Sequence, residues 1–125
     1  DKFESKYKYN AETGNIGIYA ESTANDFTDI TFQLFTLTVY DSYLTYASGI
    51  ILLFSDGTTM NLSTKEQLGE NAGKGLWRYY ALATLNPEQW LELSNKTIVS
   101  YKFDIFERKY KNGIQFKALV NNFYE

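Results

Sequence analysis

Carboxylates, hydroxyls, amines and phenols are the groups available for chemistry, because the 125-residue chain has no histidine and no cysteine. That removes thiol nucleophiles, disulfides, iron–sulfur ligation, most zinc sites and every histidine-based triad or general base. Two carboxylates flanking a bond, as in glycoside cleavage, are the chemistry that remains. The candidates are Asp41, Asp56 and Asp104. Asp41 and Asp56 read equally well as turn residues, and Asp104 as the water-facing phase of a strand. No nucleophile stands with a base and a set of oxyanion donors. The expectation is therefore a protein that is not an enzyme, with no catalytic residue.

Metal and cofactor patterns are weak. Residues 21–29 read ESTANDFTD and put Glu21, Asp26 and Asp29 near Asn25. Calcium takes six to eight oxygen ligands, but this spacing is not that of an EF-hand and lacks the glycine at its bend. Asp26 and Asp29 are the remaining metal candidates, against an ordinary solvated loop. Gly73-x-Gly75 lacks the lysine and hydroxyl residue of a phosphate loop. No cofactor is implied.

Aromatic content is the clearest excess: 18%, with 11 Tyr and 9 Phe. Trp77, Tyr79, Tyr80 and Trp90 are the candidate ligand-binding residues. Tyrosine and tryptophan combine an apolar face with a polar handle, which suits stacking on a sugar ring. The same residues anchor protein interfaces, and they also fill β cores. Alternation puts Trp77 and Tyr79 on one strand face and Tyr80 on the other.

Net charge is −3 and the pI about 5.0. Arg108, Lys109 and Lys111 share their segment with Glu107 and read as a solvated turn. Without a basic cluster, no nucleic-acid partner is expected, since phosphate neutralisation supplies most of that affinity. No apolar run reaches the roughly 18 residues of a transmembrane segment. A surface rich in Asn, Thr, Ser and Tyr, with no Cys, points to an exported protein, though a cytoplasmic one is also compatible. Asn61-Leu62-Ser63 and Asn95-Lys96-Thr97 match the glycosylation acceptor pattern.

The elements that must position these residues are mostly strands. Residues 30–62 are almost pure β material and contain Ser55-Asp56-Gly57-Thr58, an Asp-Gly turn between the strand Ile50–Phe54 and the alternating Thr58–Leu62. Strands are also expected at Phe3–Tyr9, Ile16–Ala20, Ile30–Tyr40, Tyr43–Ala47, Leu76–Leu85 and Thr97–Phe106. The turn over 10–15 is either a plain hairpin connection or a tip offered to a partner. Ser63-x-x-Glu66 fits a capping box and predicts a helical turn at 64–68, followed by a flexible loop over 71–75. Asn86-Pro87-x-Gln89 predicts a short helical turn near 87–93, with Trp90, Leu91 and Leu93 facing inward. Phe116, Leu119, Val120, Phe123 and Tyr124 recur at helical spacing, so a C-terminal helix near 113–124 is favoured, with Asn112 as its cap.

The fold expected is mainly β (α+β): an antiparallel sheet or sandwich forming a single β-rich domain over 1–125. The function expected is a non-enzymatic interaction or structural module of an exported protein, acting through an unknown protein partner or self-association. The alternative is a carbohydrate-binding module that takes a polysaccharide on an exposed Tyr/Trp platform.

Overall fold

The computed structural model describes residues 7–22, 30–41, 49–103 and 106–123. Strand β1 (Tyr7–Thr13) and strand β2 (Ile16–Ser22) form an antiparallel hairpin. Thr13 pairs directly with Ile16, so the connection is the two residues Gly14-Asn15 and not the wider turn over 10–15. Strand β3 (Ile30–Asp41) lies beside β2. Asp26 and Asp29, the metal candidates, and the strand expected at Tyr43–Ala47 lie outside the described residues.

Strand β4 (Gly49–Phe54) returns into β5 (Thr59–Gly73) as the Asp-Gly signal requires. The loop has three residues rather than two. Gly57 donates its N–H to the Phe54 carbonyl at 3.0 Å, and Phe54 donates to the Thr58 carbonyl at 2.9 Å. Gly57, at φ 87°, takes the left-handed bulge position that follows a type I turn. Asp56 stiffens the loop by accepting from the Thr58 N–H at 2.9 Å and from its hydroxyl at 2.5 Å.

Strand β5 overturns the helical turn expected at 64–68. Its residues 59–63 pair with β4, and residues 64–73 pair with β6 (Leu76–Ala83). A helical turn there would forfeit the ladder to β6, and nonlocal pairing outweighs a local capping signal. The passage from one partner to the other is marked by an irregularity between Thr64 and Glu66. The loop expected over 71–75 is instead a tight turn: Lys74 and Gly75, at φ 55° and 76°, match the two positive values of a type I′ hairpin.

Helix α1 (Pro87–Asn95) starts as its sequence dictates. Asn86 Oδ1 accepts from the Gln89 N–H at 2.8 Å, and Gln89 Oε1 accepts from the Asn86 N–H at 2.9 Å. Trp90 and Leu93 are buried, but Leu91 is 63% exposed, contrary to the expected inward direction. The strand expected over 97–106 divides into β7 (Ile98–Phe103) and β8 (Phe106–Lys109), which pair antiparallel. Arg108 and Lys109 therefore sit in a strand and not a turn. Helix α2 (Gly113–Phe123) follows; Phe116 and Val120 are buried, and Phe123 packs on Tyr9 with ring centroids 5.0 Å apart.

Among the described residues the strands form one antiparallel sheet of eight, in the order β1-β2-β3-β6-β5-β4-β7-β8. One face, called inner here, carries Ile16, Ile18, Phe35, Leu37, Leu52 and Tyr79 in a single buried cluster with Trp90 and Leu93 of α1 and Phe116 and Val120 of α2. The sheet curls until its two ends meet. Asn15 donates to the Thr38 carbonyl at 3.0 Å and to the Tyr101 phenol oxygen. Tyr110 donates to the Thr13 carbonyl, and its oxygen lies 2.8 Å from the Thr13 hydroxyl. The Gly14-Asn15 turn is thus packed against β7 and the segment after β8, rather than presented as a free tip. Among the described residues no helix is long and apolar enough to cross a membrane.

Candidate functional site

Alternation along a strand gives every second side chain to the outer face, and register decides which of them meet. Three rows cross the first half of the sheet. Asn10, Tyr19 and Leu34 face one another from β1, β2 and β3. The next row is Glu12, Gly17, Thr36 and Leu82, reaching β6. Thr38 and Tyr80 form the third. On β2 and β3 the middle row has a glycine and a threonine where the first row has a tyrosine and a leucine. A groove of about 270 Å³ lies between the flanking rows, with all three contributing to its walls and floor.

Gly17 is required by the backbone. A Cβ there would lie 2.4 Å from the Ala11 carbonyl oxygen, 2.9 Å from Glu12 Cγ and 3.0 Å from Thr36 Oγ1. Strand β1 crosses so closely that no side chain fits at this position.

The two tyrosines beside the groove are held in place. Tyr19 donates its O–H to Glu21 Oε2 at 2.5 Å. That bond to a carboxylate, with burial second, raises the phenol above its ordinary pKa of 10.0. The Arg78 guanidinium lies 4.6 Å from the centre of the Tyr80 ring and is ion-paired with Glu70 on the neighbouring strand. Both rings are half-buried. Glu12 is exposed and is the one ionised side chain among the described residues lining the groove.

Comparison with protein-family models, curated proteins and solved structures finds no match. The candidate site therefore rests on its own geometry.

The four aromatic residues singled out in the sequence do not share a surface. Tyr79 is 1% exposed and Trp90 5%, so both belong to the core. Trp77 is half-buried against that core on the inner face. Tyr80 alone of the four borders the groove. Asn10, Glu12, Tyr19, Thr36 and Thr38 were not legible as site residues. Asn10 and Glu12 fall in the turn expected over 10–15, and the order that joins β3 to β6 was not readable.

Asp56, the candidate acid whose side chain is described, serves a structural cluster. Lys96 donates to Glu92 Oε2 at 2.9 Å and to Thr58 Oγ1 at 2.8 Å, and lies 3.6 Å from Asp56 Oδ2. Its ammonium also sits 5.3 Å from the centre of the Phe54 ring. The Thr58 hydrogen bonds, with Lys96 adding a smaller effect, hold the Asp56 carboxyl below its ordinary pKa. The group staples the β4–β5 loop to the end of α1. Asp104 and the side chain of Asp41 lie outside the described residues, and no set of three or more potential metal ligands occurs among the described ones.

Proposed function

We propose that this domain is a non-enzymatic binding module whose contact site is the outer-face groove of β1, β2, β3 and β6. The observation that carries it is a depression of about 270 Å³ between two immobilised tyrosines. Ligand pockets span roughly 300–1,000 Å³, so this one suits a small group or one part of a longer ligand. Glycoside hydrolysis by carboxyl groups needs two acids flanking the bond. Here Glu12 has no second free acid in the groove lining, since Glu21 lies outside it and is engaged by Tyr19. An extracytoplasmic setting fits the polar surface composition.

Amide NMR of the ¹⁵N-labelled domain against a cocktail of small neutral and charged organic fragments tests the site. Shifts gathered on Gly17, Thr36 and Thr38 are expected. Shifts gathered on the β4–β7 half of the sheet would move the site there. Turnover of chromogenic glycosides lost on Glu12→Gln would overturn the non-enzymatic part.

A second contact surface is favoured by one observation. Ile51, Leu53 and Val99, on β4 and β7, are exposed at 42%, 37% and 36%. They support protein contact or self-association by that half of the sheet, and sedimentation of wild type against Leu53→Lys tests it.

A further inference from the structure

The groove combines features that seldom serve one ligand class. Leu34, Leu82 and the two tyrosines give it apolar surface. Thr36, Thr38, Asn10 and Glu12 place two hydroxyls, an amide and a carboxylate beside that surface. A purely apolar ligand would strip water from these polar groups without replacing their hydrogen bonds. An anion would meet Glu12, with no cation in the described lining, and the Arg78 guanidinium beside Tyr80 is already ion-paired with Glu70. A ligand with an apolar face and a rim of neutral donors and acceptors satisfies both halves. Sugar rings have that character: their C–H faces lie on aromatic rings, and their hydroxyls both give and accept hydrogen bonds.

Rigidity points the same way. A weakly held ligand gains most from side chains already ordered before it arrives. Tyr19 is ordered by Glu21 and Tyr80 by Arg78. The middle row crosses the strands from Glu12 on β1 to Leu82 on β6. That is roughly 14 Å, three inter-strand spacings of about 4.8 Å, so the trough runs on past a single ring.

We infer that the groove takes a neutral saccharide, with one sugar ring against Tyr80 and its hydroxyls on Glu12 and Thr36. The inference rests on the groove being the contact site. The platform that binds sugar is then Tyr80 with Tyr19, without Trp77, Tyr79 or Trp90.

The test is amide NMR of the labelled domain titrated separately with cellotetraose, chitotetraose, maltotetraose, xylotetraose and laminaritetraose. Oligogalacturonate and the organic fragment cocktail serve as comparison probes. At least one neutral tetrasaccharide is expected to shift Gly17, Thr36 and Thr38. Tyr80→Ala should weaken that binding at least tenfold, while Tyr80→Phe keeps most of it and Glu12→Gln weakens it severalfold. An amide spectrum of each variant that overlays the wild type away from the groove shows that the fold is intact. If the fragments shift the groove and none of the tetrasaccharides does, the saccharide inference is overturned and the groove stands as a site for something else. Silence from every probe overturns both. Shifts by oligogalacturonate alone overturn the charge argument and with it the neutral ligand.

Discussion

Tyr110 and Thr13, separated by 97 positions in sequence, are joined through the phenol oxygen, which meets both the carbonyl and the hydroxyl of the threonine. This contact closes the curled sheet end to end. Burial, the largest influence, raises the Tyr110 pKa from 10.0 to about 12. A phenol held protonated in the fold but free to ionise when unfolded stabilises fully below pH 10, and that contribution is lost as the pH rises from 10 to 12. Urea midpoints measured from pH 8 to 12 should fall across this window in wild type and fall less in Tyr110→Phe. At pH 8, Tyr110→Phe should cost about 0.5–1.5 kcal/mol for the lost hydrogen bond.

Gly17→Ala should destabilise by about 1–3 kcal/mol or more, the range for forcing volume into a packed site. Its Cβ meets a backbone oxygen at 2.4 Å, and a carbonyl in a ladder cannot swing aside as a side-chain tip can. Thermal unfolding of Gly17→Ala beside Gly73→Ala isolates the contact. Gly73 has a positive φ but nothing within 4 Å of a Cβ, so it reports backbone strain alone.

Asn86→Ala removes the cap of α1 while leaving Gln89 and Pro87 in place. A loss of about 1 kcal/mol is expected, read as a lower urea midpoint with an unchanged slope. An unchanged midpoint would mean that the helix is held by Trp90 and Leu93 alone.

The two tryptophans should report different surroundings. Trp77→Phe leaves Trp90, which is 5% exposed, so its emission should lie to the blue and resist acrylamide. Trp90→Phe leaves the half-buried Trp77, which should be quenched more readily. Neutral tetrasaccharides should change neither strongly, because neither indole lines the groove.

The sequence made the local signals legible. Asn86-Pro87-x-Gln89 placed the start of α1, the Asp56-Gly57 pair placed the β4–β5 turn, and the spacing of Phe116 to Phe123 distinguished helix from strand. Ser63-x-x-Glu66 misled because a capping box describes what a segment would do alone. Residues 59–63 pair with β4 and residues 64–73 with β6, and satisfying those ladders decides their state. Residues 71–75 read as a flexible loop, yet Lys74-Gly75 closes a tight hairpin with the lysine at a positive φ that non-glycine residues seldom adopt. The candidate site was hidden for a different reason. Thr38 and Tyr80 become neighbours only when β3 meets β6, and the glycine between Ile16 and Ile18 shows its purpose only once β1 is seen to cross it.

The strand order also bears on how the chain assembles. It divides into three stretches whose internal pairings join successive strands: β1-β2-β3, β4-β5-β6 and β7-β8. Two long-range seams join them, β3 to β6 and β4 to β7, exemplified by Phe35 opposite Ala83 and Ile50 opposite Phe103. Hairpins form in about 1–10 μs, whereas closing a distant pairing must first overcome the entropy of a long loop. The seams, not the hairpins, are expected to set the folding rate. Substitutions along β3–β6 should slow refolding, and those in the Gly14-Asn15 and Lys74-Gly75 turns should act mainly before the rate-limiting step. The groove straddles the β3–β6 seam, so it comes into being only as that barrier is crossed.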